Sequence, residues 1–524
     1  MKTITLPAFA EQDFHLTKTN DTVTAFVLDS ASADSYDKYV SLYLECGFEK
    51  REERRVSGHS YAAFSNGETS VFINYFEYTS NLYIATEVGT SYFDFTSPAG
   101  ERVCDAEITQ MELADFGMSY VIRLTDGRFI IIDGGRSFER DADILYKHLI
   151  KRSPTETPVV AAWFMTHPHV DHFELFINFY DKYGEKIKIE KFLYNFPRHD
   201  DSEHYPDLLD VGEFKRFGYD NSAVVRIPMM LERIALSGAE VYTPHTAQIY
   251  HIGDATFEIL ACMDETMHLS TNTNVSSLFM MMTLAGQRVF WTADGSFGVA
   301  KIPEKYGSRL KCDIMQIPHH GFGCGSADAE IAGYELANPS VLLLPVSEYN
   351  AYTAFCTFTK GPRFAMANEI ADEIVVGTPA RTLTLPYTPK KYKKEEYKRQ
   401  YLKGLDNCGA TAWVFTDLST ACEEDFIFTV LNTGNRPSTL SIDIFFEDGA
   451  RKIRYIKAQI PSNAVKRINI IGDDVDTEAV YFNWLSLKAQ GIPENAPFAV
   501  RFISDNPVVI SHANHTAAYH SQNR

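Results

Sequence analysis

The chain has 524 residues, of which 45% are hydrophobic, 13% aromatic and 23% charged. These are the proportions of a folded protein, and the length exceeds one ordinary core, which predicts about two to four domains. The formal net charge of −20 at pH 7 repels phosphate backbones, so the bulk charge argues against nucleic acid as a partner and leaves only a local basic groove open.

The N-terminal part of the chain, residues 1–98, predicts a small α+β domain. Apolar residues at helical spacing indicate a helix over 35–46. β-branched and alternating apolar residues indicate strands near 22–28, 60–64, 70–76 and 81–87, with a hairpin turn at Asn66-Gly67. No motif with catalytic chemistry occurs here, so the expected role of this part is packing or interaction.

Residues 99–388 alternate predicted strands and helices and carry the motifs with chemistry. A buried apolar run from Val159 leads directly into a segment that contains His167, His169, Asp171 and His172. Burying so many polar side chains without partners would cost ~1–3 kcal/mol for each group. Metal coordination satisfies them. Imidazole nitrogen and carboxylate oxygen suit zinc, and also iron or manganese.

Three further predicted strand ends in this region carry polar residues. A hairpin over 119–132 ends in Asp133-Gly134-Gly135, and a second hairpin, which starts at 274–278, returns to Ala293-Asp294-Gly295. A strand-like run over 310–317 is followed by Pro318-His319-His320-Gly321. Taken alone, Asp133 and Asp294 would fit an ordinary turn or helix cap. Their order around the histidine-rich segment makes them candidates for a metal site.

The pattern His-x-His-x-Asp-His at 167–172 is that of the metallo-β-lactamase superfamily, and the match is complete. Together with Asn-x-Ser-Ser-Leu at 274–278, Thr-x-Asp at 292–294 and Pro-His-His-Gly at 318–321, it resembles the branch that contains the hydrolase domain of DNA-uptake competence proteins. This resemblance implies an α/β fold, namely a four-layer αβ/βα sandwich. It also implies one or two zinc ions, with iron or manganese as alternatives.

The resemblance implies a set of metal ligands and one supporting carboxylate. The ligands would be His167, His169, Asp171, His172, Asp294 and one of His319 and His320, and Asp133 would support the metal loop from behind. We favour His319 as the ligand of the pair, because it is the first residue past the strand and Pro318.

One histidine that most dinuclear members of the family supply has no convincing counterpart. The candidates between the two motifs are His199, His204, His245, His251 and His268. Without a third private ligand for His167 and His169, the second metal site is expected to be weak, completed by water, or empty.

The expected function is hydrolysis by metal-activated hydroxide. Asp171 would orient the hydroxide and pass its proton to the leaving group, and the histidine of the pair that does not bind metal, His320 on the preference above, would stabilise the developing oxyanion. The resemblance ranks phosphodiesters or related phosphoryl substrates first and lactams or lactones second. The alternative of another class is a sensory or scaffolding protein with a degenerate hydrolase core. Tyr349, Tyr352 and Phe355 would line a substrate pocket or serve in packing.

The rest of the chain predicts a charged linker over 389–406, with a nucleic-acid patch as the alternative that the mixed charges disfavour, and a β-sandwich over 407–524. Strand-like runs at 426–431, 440–446, 453–460 and 499–503 are separated by turn signals that include Asp448-Gly449 and Asn506-Pro507. The segment resembles the β-sandwich of sensory rhodopsin transducer proteins. That resemblance implies binding of a small molecule or formation of a homo-oligomer, with a purely structural sandwich as the alternative.

The cysteines and the apolar pattern bear on localisation. The eight cysteines are scattered without a Cys-x-x-Cys pair, which fits a reducing compartment better than a disulfide scaffold. No window approaches the ~18–20 consecutive apolar residues that span a bilayer, and the first residues lack a signal-peptide pattern. We therefore expect a cytoplasmic protein with a small-molecule substrate and no membrane partner.

Overall fold

The computed structural model describes residues 15–18, 22–113, 117–209, 222–345, 369–377, 380–390, 410–419, 427–446, 452–470 and 497–512. They divide into two compact units, one made of the described residues up to 390 and the other of those from 410. The described part of the 1–98 segment therefore belongs to the same unit as the described part of 99–388.

The first unit contains helices and strands in alternation. Its helices are α1 Ala33–Glu45, α2 Glu139–Arg152, α3 Val170–Phe173, α4 Leu175–Tyr183, α5 Ala223–Ser237, α6 Ile302–Tyr306 and α7 Ala327–Ala337. Its strands are β1 His15–Lys18, β2 Val23–Leu28, β3 Glu49–Val56, β4 His59–Ser65, β5 Thr69–Phe76, β6 Asn81–Val88, β7 Glu107–Gln110, β8 Ser119–Arg123, β9 Phe129–Asp133, β10 Val159–Met165, β11 Lys188–Ile189, β12 Lys191–Tyr194, β13 Glu240–Tyr242, β14 Ile249–Ile252, β15 Ala255–Ala261, β16 Phe279–Leu284, β17 Gln287–Trp291, β18 Ile314–Gln316, β19 Val341–Leu344, β20 Glu373–Val376 and β21 Arg381–Thr384.

The N-terminal strands form a six-stranded antiparallel sheet in the order β1-β2-β6-β5-β4-β3. Helix α1 begins at a capping box between Ser32 and Ser35 and packs three buried tyrosines, Tyr36, Tyr39 and Tyr43, on one face of this sheet. Strand β3 was not predicted. It lies at the sheet edge with mostly exposed charged residues, an arrangement that discourages edge-to-edge pairing.

Two mixed sheets form the body of the first unit. The eight-stranded sheet has the order β13-β12-β10-β9-β8-β7-β21, with β11 paired to β10, and the seven-stranded sheet runs in sequence from β14 to β20. One core contains residues of both mixed sheets and of the six-stranded sheet. A second core joins the eight-stranded sheet to α2, α4 and α5, and a third joins the seven-stranded sheet to α6 and α7. The unit is therefore an α/β fold.

Strand β10 shows why a central strand of these sheets is apolar along its whole length. Strand β10 pairs in parallel with β9 and β12, and its residues from Val160 to Met165 are completely buried. A parallel strand covered on both faces reads as a continuous apolar run, as the sequence of β10 does. The strand-like run at 310–317 is shorter in the structure, because Leu310 ends a 3₁₀ turn and only Ile314–Gln316 pair as β18.

The second unit contains strands β22 Ala410–Ser419, β23 Ile427–Asn432, β24 Ser438–Phe446, β25 Lys452–Ile460, β26 Ala464–Asn469 and β27 Pro497–His512. They form an antiparallel array in the order β25-β24-β27-β23-β26, with β22 also paired to β27. The turn expected at Asn506-Pro507 is wrong, because both residues lie inside β27. The strand changes partners there: Ser504 pairs with β24, whereas Val509 pairs with β23.

Several expectations fall wholly or partly outside this description, including the turn at Asp448-Gly449, which lies outside the described residues. The charged linker lies outside the described residues from 391 onward, and so do Tyr349, Tyr352 and Phe355. In the part of the chain that the structure describes, no helix is long and apolar enough to cross a membrane.

Candidate metal centre

The candidate site lies where strands of the two mixed sheets end. Parallel strands β9 and β10 lead into Asp133 and the 166–172 loop, and parallel strands β17 and β18 lead into Asp294 and His320. The backbone N–H of Leu278 donates to the carbonyl of Thr166 at 3.1 Å, which ties the two sheets together beside the loop. Parallel strands bring residues at their carboxyl ends to one edge, so four strands supply side chains to one place.

Four side chains form the tightest group: Asp171, His172, Asp294 and His320. His172 Nε2 lies 3.2 Å from His320 Nε2 and 3.1 Å from Asp294 Oδ2. His320 Nε2 lies 3.4 Å from Asp294 Oδ2 and 3.3 Å from Asp171 Oδ2. All four therefore face a common space, and the His172, Asp294 and His320 side chains are buried.

Acceptors outside the group fix the orientation of its imidazoles. His172 Nδ1 lies 2.7 Å from Asp133 Oδ2, which also accepts from the Thr166 hydroxyl at 2.7 Å, and Asp133 Oδ1 accepts from the Thr166 N–H at 2.8 Å. His320 Nδ1 lies 2.9 Å from the carbonyl oxygen of Pro345. Each ring thus uses Nδ1 toward the protein and leaves Nε2 for the common space.

A second group shares Asp294 and consists of His167, His169 and Asp294. His167 is completely buried, and its Nε2 lies 3.8 Å from Asp294 Oδ2. Among the described residues, neither His167 Nε2 nor Asp294 Oδ1 has a hydrogen-bond partner. Two buried polar atoms without partners in one group of side chains are a costly arrangement unless a ligand satisfies them.

His169 is held from outside the group by two residues that no sequence motif indicated. Its Nε2 lies 2.8 Å from Thr273 Oγ1 and 3.3 Å from Asp207 Oδ2. Asp207 lies in the 3₁₀ turn Pro206–Leu209 beyond β12, and Thr273 lies in the turn before β16. Neither position carries a local signal, because the contacts join residues far apart in the chain.

The structure places His320, rather than the favoured His319, in the four-residue group. His319 Nδ1 bonds to the carbonyl oxygen of Gly323 at 2.8 Å, its Nε2 lies 3.8 Å from Asp294 Oδ2, and 29% of its side chain is exposed. Both residues have left-handed backbone conformations, with φ of 48° and 52°. This tight turn directs the second histidine inward and leaves the first at the rim.

Strained backbone recurs around the site. Asp133, with φ of 55°, and Ala293, with φ of 46°, share the left-handed region with the two histidines of the turn. Such conformations are costly for residues other than glycine and persist where surrounding contacts hold them. At Ala293 those contacts are visible, since its carbonyl oxygen accepts from the His319 N–H and from Gln316 Nε2, both at 3.0 Å.

The charges of the group are strongly coupled. Burial would lower the pKa of His172, but Asp294, Asp133 and Asp171 outweigh it and raise that pKa well above its ordinary value. Burial would also lower the pKa of His320, but Asp294 and Asp171 outweigh it and raise that pKa to about 10. Burial would raise the pKa of Asp294, but His172 and His320 hold it well below its ordinary range. The carboxylates therefore stabilise positive charge in the four-residue group. A metal ion would compete with the histidine protons for the ring nitrogens.

The spacing of the side chains fits a metal ion. Ligands about 2.1 Å from a tetrahedral ion lie about 3.4 Å from one another. The separations among His172 Nε2, His320 Nε2, Asp294 Oδ2 and Asp171 Oδ2 given above run from 3.1 to 3.4 Å, and the His172–Asp171 separation is 3.9 Å. The donor set of nitrogen and oxygen atoms suits zinc and also iron or manganese.

The five histidines considered as further ligands lie elsewhere, since none of His199, His204, His245, His251 and His268 belongs to either group of described residues around Asp294. His245 forms a separate buried cluster with Cys262 and Asp264, and His268 lies beside His15 and Asp29. His204 bonds to Asp201 and His251 to Thr256 at exposed positions.

Comparisons with known proteins give no family assignment. No protein-family model matches the chain, and no curated protein matches it. Among solved structures, the Anabaena sensory rhodopsin transducer is 20% identical, covering 20% of this chain and 96% of its own, with a TM-score of 0.15. The diiron β-hydroxylase CmlA from Streptomyces venezuelae is 14% identical, covering 55% of each chain, with a TM-score of 0.32.

A metallo hydrolase from the archaeon Ignicoccus hospitalis is 11% identical over 54% of this chain and all of its own, with a TM-score of 0.30. The chain thus spans little more than half of the CmlA sequence. At these TM-scores the three likenesses carry no argument for the fold or for the activity.

Proposed function

We propose that the chain is a metal-dependent hydrolase of the metallo-β-lactamase type. Asp171, His172, Asp294 and His320 would hold one divalent cation, and His167 and His169 would hold a second with Asp294 shared between them. The observation that carries the proposal is the orientation of His172 and His320: each ring has Nδ1 bonded to a protein acceptor and Nε2 within 3.4 Å of Asp294.

When bound, a divalent cation would polarise the scissile carbonyl or phosphoryl oxygen of the substrate and lower the pKa of a water molecule in the site. The remaining chemistry would come from side chains at the rim. Asp171 is 17% exposed and reaches the group through Oδ2, so it can take a proton from water and return it to the leaving group. His319, whose Nδ1 donates to the Gly323 carbonyl oxygen, would stabilise the developing oxyanion through Nε2–H as the imidazolium, which carries a hydrogen on both ring nitrogens, the role first assigned to His320.

An anionic substrate fits the charges near Asp171. Burial would raise the pKa of that carboxyl, but His172, His320 and Arg136 hold it well below its ordinary value, so Arg136 adds to the positive charge that acts on Asp171. Positive charge beside the cations favours a phosphodiester or related phosphoryl substrate over a neutral lactam or lactone. The four-layer arrangement and zinc as the native metal belong to the same proposal, with iron or manganese as the alternative metals.

The test separates the two histidines of the turn. His320→Ala is expected to lose bound metal and hydrolysis together, whereas His319→Ala is expected to keep the metal content of the wild type and to lose catalytic rate. Metal content is measured by elemental analysis, and hydrolysis on bis(p-nitrophenyl) phosphate, then on a lactone and a β-lactam. Bound metal without hydrolysis of any substrate class would favour the sensory or scaffolding alternative, and equal metal content in both variants would contradict the assigned ligand.

A further inference from the structure

We propose that Asp207 is a positioning residue that acts through Thr273 to fix His169 with its hydrogen on Nε2 and its lone pair on Nδ1. The proposal rests on the proposed metal centre, for which the sequence offers no further histidine ligand. It names Asp207 and Thr273 as the residues that orient His169.

The contacts form a closed triangle. Thr273 donates to Asp207 Oδ2 twice, from its backbone N–H at 2.5 Å and from its hydroxyl at 2.8 Å. Thr273 Oγ1 lies 2.8 Å from His169 Nε2, and Asp207 Oδ2 lies 3.3 Å from the same nitrogen. Asp207 and His169 are each about one-fifth exposed, so the triangle lies at the solvent side of the site.

The direction of the hydrogen bonds selects the tautomer. A threonine hydroxyl has a single hydrogen, and here that hydrogen points to the carboxylate of Asp207, which only accepts. Thr273 Oγ1 must therefore accept from His169, so Nε2 carries the hydrogen. The other tautomer would place the Nε2 lone pair against Asp207 Oδ2, an arrangement of two acceptors without a hydrogen between them.

The consequence is that His169 offers Nδ1 to the group with His167 and Asp294. Asp207 is not a member of that group, whose ligand atoms all lie within 4.8 Å of one another, and its Oδ2 already accepts both Thr273 bonds. Loss of a partner of this kind costs ~10–100-fold in metal affinity, because the ring is no longer oriented for binding. The effect should fall on the second metal equivalent, since His169 is absent from the other group.

The experiment compares Asp207→Ala and Thr273→Val with wild type and with Asp200→Asn, an exposed acidic residue of the preceding loop that pairs with Arg198. Zinc affinity and stoichiometry are measured by competition with a chromophoric chelator. We expect the second equivalent to bind about 10–100-fold more weakly in Asp207→Ala and Thr273→Val, and both equivalents to bind normally in Asp200→Asn.

A second readout uses the metal-free protein. Nitrogen-15 NMR of labelled histidine reports the tautomer, with the His169 signals assigned from the His169→Gln variant. The wild type should show His169 with hydrogen on Nε2, and Asp207→Ala should show a mixture of tautomers. Normal binding of both equivalents in Asp207→Ala, or weakening in Asp207→Ala but not in Thr273→Val, would overturn the proposal. Wild type that binds no zinc would instead reject the proposed metal centre.

Discussion

Replacing Tyr83 by phenylalanine removes one donor from a buried carboxylate that joins three sheets of the first unit. Asp264 follows β15 and is completely buried. It accepts from Tyr83 Oη on β6 at 2.5 Å, from His245 Nδ1 at 2.5 Å, from Asn195 Nδ2 after β12 at 3.0 Å, and from Cys262 Sγ at 3.2 Å. Burial, and then Asp264, raise the pKa of Tyr83 well above its ordinary value, so the phenol keeps its hydrogen.

The magnitude follows from the charge and burial of the acceptor. A hydrogen bond to a charged group contributes ~1.5–3 kcal/mol, and no water enters a fully packed position to replace the lost hydroxyl. We therefore expect Tyr83→Phe to lower the free energy of unfolding by ~1.5–3 kcal/mol. Asp264→Asn should cost more, ~3–5 kcal/mol, because it removes the carboxylate closest to the buried His245 imidazolium and leaves Glu87, 3.7 Å from Nε2.

The assay is urea unfolding of the full chain, followed by fluorescence and circular dichroism. The matched control is Tyr78→Phe, because Tyr78 is 65% exposed and its hydroxyl makes only a 3.4 Å contact with Ser57. That variant should stay within ~0.5 kcal/mol of wild type. A Tyr83→Phe protein as stable as the control would refute the reasoning that the Asp264 cluster stabilises the unit.

Two further predictions concern histidine protonation and the support of the metal loop. Burial lowers the pKa of His59 to about 3, so below pH ~6.5 the unfolded chain binds a proton that the folded chain does not. The free energy of unfolding therefore decreases as the pH is lowered. His59→Gln should therefore reduce the loss of unfolding free energy between pH 6.5 and 5 by about 2 kcal/mol, measured by urea unfolding; an unchanged pH dependence would contradict this. Asp133→Asn should weaken zinc binding ~10–100-fold in a chelator competition titration, and unaltered affinity would show that the His172–Asp133 contact does not orient the ligand.

Hydrophobic patterning predicts much of the secondary structure and misses elements that lack it. The alternation in β2 and the apolar run of β10 are visible in the sequence, because each buries one or both faces. Strand β3 has the sequence Glu-Lys-Arg-Glu-Glu-Arg-Arg-Val and gives no such signal, since only pairing with β4 makes it a strand. The Asn506-Pro507 pair breaks the pairing pattern of β27 without ending the strand.

The candidate site also contains residues that the sequence predicts and residues that it does not predict. His167, His169, Asp171 and His172 are close in sequence, so a short motif suffices to propose them. The choice between His319 and His320 depends on two left-handed residues, a conformation that neither histidine signals.

Asp207 and Thr273 reach His169 from 38 and 104 residues away. Contacts over such separations follow from tertiary structure, and no local spacing predicts them.

The most direct test of the metal centre is the metal content of the wild type and of Asp294→Ala, because Asp294 is the one residue shared by both ligand groups. Asp254→Ala, which removes an exposed carboxylate bonded to Thr125, serves as the control. After reconstitution with zinc, iron or manganese, we predict one or two equivalents in the wild type and control, and loss of metal from Asp294→Ala. A wild type without bound metal, or an Asp294→Ala protein with the full content, would contradict the account.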